Sequence, residues 1–328
     1  MRKKMEVVAL KSKGKSFVFA LILCLALLSP AQALGAAKGA AEQQAMPPGV
    51  YLNLGDSIAK GRSAAPGADY HSLYGGYLLD AYGIVPLSPG NGFAVDGLKS
   101  GDLMDGLTYT TQAQLAVASA SVITISIGGN NLLGPIQQRI GSLLPGPVDY
   151  TDPAAVKAAV AALALNPAFN PAGLPPEALW EVLVAGLTAE ALDPASALGI
   201  ALDAGKADFL EDWPAIVARI RELNPDAVVL ALTLYNPVDP LEGILLFSRY
   251  EELVKPMNGA LRKTQNQVLL ADAYKAFGRD GDAVAFSLAW DTLNLDIHPT
   301  TQGHGILFEQ LTVPSNLRDF RPLRLAIR

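Results

Sequence analysis

Only one cysteine, Cys24, occurs in 328 residues, which excludes a disulfide framework and a cysteine-rich zinc site. Charged side chains are scarce at 17%, while half of the chain is hydrophobic; an intrinsically disordered protein has the opposite balance. The net charge is −6 with no basic stripe, which argues against a nucleic-acid partner. Histidine is limited to His71, His298 and His304. They are not at metal-ligand spacing, and neither a metal nor an organic cofactor is implied. The patterns G-x-G-x-x-G, G-x-x-x-x-G-K-[ST] and G-x-S-x-G are all missing, which removes dinucleotide, P-loop and nucleophile-elbow readings.

The N-terminus has the pattern of an export signal. Arg2, Lys3, Lys4, Lys11, Lys13 and Lys15 precede an apolar run from Phe17 to Leu28, and Pro30 leads into Ala31-Gln32-Ala33. Twelve apolar residues are short for a membrane span, and an A-x-A site after them marks cleavage. Leu23 before Cys24 does not fit a lipoprotein signal. Cleavage after Ala33 removes six of 25 Lys/Arg, one of 31 Asp/Glu and Cys24, leaving 19 positive and 30 negative residues, net −11. A thiol-free product suits an oxidising exterior. The expected organisation is a signal peptide at 1–33, a flexible leader at 34–48 and one domain at 49–328, secreted by Gram-positive-type export.

Within that domain, apolar strand patterns occur at 50–54, 91–95, 122–127, 227–234 and 268–271. Helical spacing links Trp213, Ile216, Val217, Ile220 and Leu223, closed by Asn224-Pro225, and a second helix is expected over 248–263. Alternating strand and helix predict an α/β class with a mainly parallel sheet and ligands at the strands' carboxyl ends. The stretch 134–206 interrupts the alternation. It holds nine of the 23 prolines and an apolar face at Trp180, Leu183, Val184 and Leu187. It is expected to form two to four inserted short helices, either padding over the core or a lid and acyl-binding wall.

Ser57 follows the first strand in Gly55-Asp56-Ser57-Ile58, where a helix is expected to begin. Taken alone, it reads as a helix cap more readily than as a nucleophile. A serine nucleophile needs a base, usually histidine. His298 sits in Asp296-Ile297-His298-Pro299 near the C-terminus, His71 has a surface or rim context, and His304 is placed to cap the last helix.

Four segments in order, Gly55-Asp56-Ser57-Ile58, Ala94-Val95-Asp96-Gly97, Gly128-Gly129-Asn130-Asn131 and Asp296-Ile297-His298-Pro299, resemble the GDSL, or SGNH-hydrolase, family of secreted bacterial lipases and esterases. The resemblance extends over about 49–327 but leaves the insertion uncovered. It implies a flavodoxin-like three-layer α/β/α sandwich with a mainly parallel five-stranded sheet. It also implies Ser57 as nucleophile, His298 as general base, and an oxyanion hole made from the N–H groups of Ser57 and Gly97 and the amide of Asn130. The expected substrate is a small ester or lipid, with transient contact with a lipid surface, and the scarcity of aromatic residues for sugar stacking (7%) favours acyl lipids.

Two positions depart from the family pattern. Asn131 stands where Asp is usual, a position taken as structural. Leu295 stands where the acid that orients the histidine is expected. Asp296 is the favoured substitute, with Asp291 or a backbone carbonyl as alternatives. That irregularity supports a second reading, a secreted, non-catalytic wall- or polysaccharide-binding protein on a degenerate hydrolase fold. A third reading uses Ser57-Ile58-Ala59-Lys60, an S-x-x-K match, but its partners S-D-N and K-T-G do not occur.

Overall fold

Strand residues that are apolar on both sides must be covered on both faces of a sheet, and this chain provides two helical layers for that purpose. In the computed structural model, residues 49–87, 93–238, 244–278 and 282–313 are described. The segments expected to be a signal peptide and a leader, and the C-terminal residues from 314, lie outside them. The strands are β1 (Val50–Gly55), β2 (Val85–Pro86), β3 (Val122–Ser126), β4 (Val228–Leu232) and β5 (Leu269–Ala271). The helices are α1 (Tyr70–Tyr82), α2 (Ser100–Tyr109), α3 (Thr111–Ser119), α4 (Gly129–Leu143), α5 (Pro153–Ala164), α6 (Pro176–Leu192), α7 (Ala197–Leu223), α8 (Ile244–Lys263), α9 (Ala273–Phe277) and α10 (Thr301–Thr312).

All strand pairs are parallel, in the order β2-β1-β3-β4-β5. This is the flavodoxin-like order, whose switch point lies between β1 and β3. Alternation along each strand divides the core. Leu52, Leu54, Ile123, Ile125 and Val229 pack with α2, α3, α4, α7 and α8, whereas Tyr51, Val122, Val228 and Leu230 pack with α1, α9 and α10. The result is a three-layer α/β/α sandwich.

Two elements differ from the sequence expectation. The strand next to β1 is Val85–Pro86, not 91–95. Residues 91 and 92 lie outside the described set, and Ala94 makes only an isolated parallel bridge to Gly55. A two-residue edge strand carries too little pattern to be read by alternation. The helix around Trp213 starts sixteen residues earlier, at Ala197, where the Ser196 side chain accepts from Gly199 N–H. The stretch 134–206 therefore begins inside α4 and ends inside α7. Its independent part is 144–196, with α5 and α6. These helices build a third apolar cluster around Val156, Val160, Trp180 and Leu183 that also takes in Leu293 and Leu295.

Trp213 is fully buried, stacked on Phe209 at 6.1 Å, with its Nε1 donating to Thr264 Oγ1 at 3.0 Å. Trp213→Ala would leave a cavity between α7 and the sheet and remove the donor to Thr264 Oγ1, which keeps its own bond to Leu261 O. The expected loss of stability is about 3–5 kcal/mol, measured as a lower midpoint of thermal or denaturant unfolding.

Candidate active site

The carboxyl ends of β1 and β3 meet at the switch point, and the chain leaves β1 there through a conformation only glycine accepts. Gly55 has φ +133, and a Cβ on it would lie 1.8 Å from the carbonyl oxygen of Ser126. This close approach turns Asp56 and Ser57 out over the sheet edge. Residues 57–63 then form successive turns, with Lys60 N–H donating to Asp56 O and Arg62 N–H to Ser57 O, both at 3.0 Å. The helix expected at Ser57 does not form; the first helix begins at Tyr70. Left-handed backbone at Gly61 (φ 84) and Ser63 (φ 66) interrupts it.

The structure brings together Ser57, His298 and Asp296. His298 Nε2 lies 2.8 Å from Ser57 Oγ, and His298 Nδ1 lies 2.5 Å from Asp296 Oδ1. Asp296 Oδ1 also accepts from His298 N–H at 3.1 Å. Asp291 is exposed, and its backbone carbonyl faces Lys157. Leu295 turns away into the third apolar cluster. In extended chain, alternate residues point to opposite sides, so two residues before the histidine is a position from which a carboxylate reaches Nδ1.

Gly97 and Asn130 stand beside this line. Gly97 has φ +76, a left-handed turn that favours glycine. Asn130 is the second residue of α4 and donates through Nδ2 to Leu98 O at 3.1 Å. A primary amide has two hydrogens, so one fixes Asn130 against the Gly97 loop and the other is available. Among the described residues, the N–H groups of Ser57 and Gly97 have no acceptor. Asn131 is buried; it accepts from Ser100 N–H at 3.1 Å and donates to Ser100 Oγ at 2.8 Å, which ties α4 to the start of α2. Lys60 pairs with Asp96 at 2.8 Å, and Asp96 also binds Arg62. These contacts fasten the Ser57 turn to the Gly97 loop and account for the lysine of the S-x-x-K match.

Three supporting residues were not recognised from sequence. Asp56, fully buried, accepts from Ile58 N–H at 3.0 Å and Ser126 Oγ at 3.1 Å, and burial pushes its carboxyl up to about 6. Ser63 donates to the second oxygen of Asp296. It is the one non-glycine residue with positive φ among those described, a strain that persists when the surroundings hold it. His304 does not cap α10, a role taken by Thr300. It is buried, its Nδ1 accepts from Tyr70 N–H at 3.3 Å, and its Nε2 therefore donates to Arg62 O at 2.9 Å. Burial holds its pKa down, in keeping with a neutral ring. His71 is half-buried and sits against Asp69. Gly-Asp-Ser, Arg-Ser-Ala and a helical histidine are ordinary local sequences, so no local signal distinguishes these three.

Burial raises the pKa of Asp296, but hydrogen bonds from His298 and Ser63 outweigh it and hold the carboxyl below its ordinary value. The arrangement is a hydroxyl, an imidazole and a carboxylate in one line, with two N–H groups and one amide beside the hydroxyl. Such a set can pass a proton and stabilise an oxyanion. Among the described residues, no group of three His, Cys, Asp or Glu side chains is placed to hold a metal ion.

A model of the GDSL-like lipase/acylhydrolase family matches residues 54–306. No curated protein matches the chain. Among solved structures, the chain is similar to a lipase from a goat rumen metagenome, at 18% identity and TM-score 0.51, covering 82% of this chain and 99% of that one. It is also similar to phospholipase A1 from Streptomyces albidoflavus NA297 (16% identity, TM-score 0.45, 81% and 98% covered) and to an extracellular lipase from Streptomyces rimosus (15%, 0.42, 80% and 98%). At 18% identity, the likeness to the rumen lipase describes the fold alone.

Proposed function

Because this chain belongs to the GDSL-like lipase/acylhydrolase family, we propose that it is a secreted carboxyl-ester hydrolase that works through an acyl group carried on Ser57. The observation that carries this reading is the continuous hydrogen-bond line from Ser57 Oγ through His298 to Asp296. Ser57 Oγ attacks the ester carbonyl carbon while His298 Nε2 takes its proton. The carbonyl oxygen becomes an oxyanion facing the N–H groups of Ser57 and Gly97 and the free amide hydrogen of Asn130. Asp296 holds the His298 ring and balances the imidazolium charge. The tetrahedral species collapses, the bond to the alcohol oxygen breaks, and His298 returns the proton to it. Water then attacks acyl-Ser57 and gives its proton to His298. Collapse restores Ser57 Oγ–H and releases the carboxylic acid.

The irregular acid position was the main support for a non-catalytic binding module. Asp296 meets that requirement, and the module reading is not favoured. Secretion rests on the basic, apolar and A-x-A segments of residues 2–33.

The test is turnover of p-nitrophenyl acetate and butyrate, with kcat/KM followed over about pH 5–8. A general base acts only when unprotonated, so the rate is expected to fall toward the acid side; a flat profile removes His298 as the base. Unfolding does not imitate this fall. Asp69, Asp96 and Asp296 are held below their ordinary values, so their contribution to stability is lost only below about pH 4. Asp56 is raised to about 6, so the folded state binds its proton more tightly than the unfolded chain does, and stability from this group increases as pH falls through that value.

A further inference from the structure

The apolar space beneath the insertion has no role in the chemistry described so far. It is an open cavity walled by Leu133, Ile136 and Ile140 of α4, Val184 and Leu187 of α6, and Ile297 beside His298. Of its five polar-bearing side chains, which include Gln137 and Tyr250, three turn their polar atoms to backbone. Trp180 Nε1 donates to Leu288 O at 2.8 Å, Thr188 Oγ1 to Val184 O at 2.8 Å, and Tyr150 Oη to Gln137 O at 3.3 Å. Most of the wall is hydrocarbon and ring surface, which disfavours a polar occupant and favours an apolar one.

The cavity is lined by chain neighbours of the reaction line. Leu133 lies one helical turn from Asn130, and Ile297 adjoins His298. A second space, lined by Ile58 next to Ser57 and by Gly129 next to Asn130, shares Leu133, Pro237, Tyr250 and Ile297 with it. The walls therefore lead from the nucleophile turn into the insertion, along the direction of α4.

That direction sets a length. From Leu133 to Ile140 α4 advances about 10 Å at about 1.5 Å per residue. An extended hydrocarbon with C–C bonds of about 1.5 Å advances about 1.25 Å per carbon, so about eight carbons span the wall. We infer that this cavity is the acyl-chain site, that it selects medium-chain acyl esters of about eight carbons, and that α6 sets the limit. The inference rests on the ester-hydrolase reading of Ser57 and His298.

Each methylene moved from water into an apolar wall improves binding by about fourfold. A p-nitrophenyl ester series from acetate to palmitate is expected to show kcat/KM rising at least about tenfold from butyrate to octanoate and falling beyond decanoate. Val184→Trp, which fills the wall from α6, is expected to abolish the octanoate advantage, read as the ratio of kcat/KM for octanoate to kcat/KM for acetate. If Val184→Trp does not fold, judged by circular dichroism, Leu187→Phe takes its place with the same expectation. An optimum at acetate, or an octanoate advantage that survives both variants, overturns the inference and leaves the hydrolase reading standing.

Binding tests the cavity without turnover. Isothermal titration calorimetry with sodium octanoate and sodium butyrate on the unmodified chain is expected to give at least about tenfold tighter octanoate binding, lost in Val184→Trp. If no ester is turned over, the hydrolase reading fails, and this titration still decides whether an eight-carbon chain occupies the cavity. Equal affinity for the two carboxylates overturns the site.

Discussion

Replacing Ser57 by alanine is expected to lower kcat/KM for a p-nitrophenyl ester by at least about 10⁴-fold, with folding unchanged. In serine hydrolases built on this constellation, loss of the nucleophile costs up to about 10⁶ in kcat, and the oxyanion donors retain only a small residual acceleration. Here the Oγ lies 2.8 Å from the imidazole that would take its proton. Neither the Ser57 N–H nor the Gly97 N–H depends on that hydroxyl, so the donors survive the substitution. The side chain caps no helix, since residues 57–63 are turns. The thermal midpoint is therefore expected to move little. His298→Ala should cost about as much as Ser57→Ala, and the double variant little more than either, because nucleophile and base act as a unit. Additive losses in the double variant, or a Ser57→Ala chain that still turns over ester at the parent rate, would show that the reaction does not pass through this pair.

Removing the acid gives the second large effect. Asp296→Ala is expected to lower kcat by about 10⁴-fold with KM changed far less, whereas Asp291→Ala should leave both constants near the parent values. The reason is positional. Asp296 fixes the hydrogen on His298 Nδ1 and leaves Nε2 as an acceptor toward Ser57. The carboxylate is itself held, by His298 N–H on one oxygen and Ser63 Oγ on the other. Without it the ring is free to rotate, and the imidazolium formed during attack loses its counter-charge. A loss confined to KM would mean that Asp296 shapes the substrate site instead. A large loss in Asp291→Ala would mean that the exposed carboxylate moves in when substrate binds.

Residues far apart in sequence share this site because of how the strands end. Ser57 and His298 are 241 positions apart, yet strict α/β alternation places every strand's carboxyl end on one edge, and the β2-β1-β3 order puts Ser57 and Asn130 on either side of one crevice. The four short segments were legible because each contains residues that backbone geometry demands, such as Gly55 and Gly97. Asp56, Ser63 and His304 were not, because their roles exist only across the fold. Ser63 meets a carboxylate 233 positions away, and His304 meets a carbonyl 242 positions away. No periodicity or spacing encodes such a pairing. The element errors have similar causes: Val85–Pro86 is too short to show alternation, and the first half of α7 carries the apolar Ile200 on its exposed face and glycines at 199 and 205, which blur the helical pattern.

The sequence by itself determined the α/β class, the mainly parallel sheet, and which hydroxyl and which imidazole were available for chemistry. Scarcity did much of that work, since three histidines leave few choices. Only the tertiary structure decided that Asp296, one position later than the family pattern, reaches His298, and that 144–196 joins Leu295 and Ile297 in walling an apolar space beside the reaction line. Local sequence fixes backbone preferences over a few residues. Which side chain meets which is set by the packing of layers, where burial leaves each polar atom only the partners that the neighbouring elements supply.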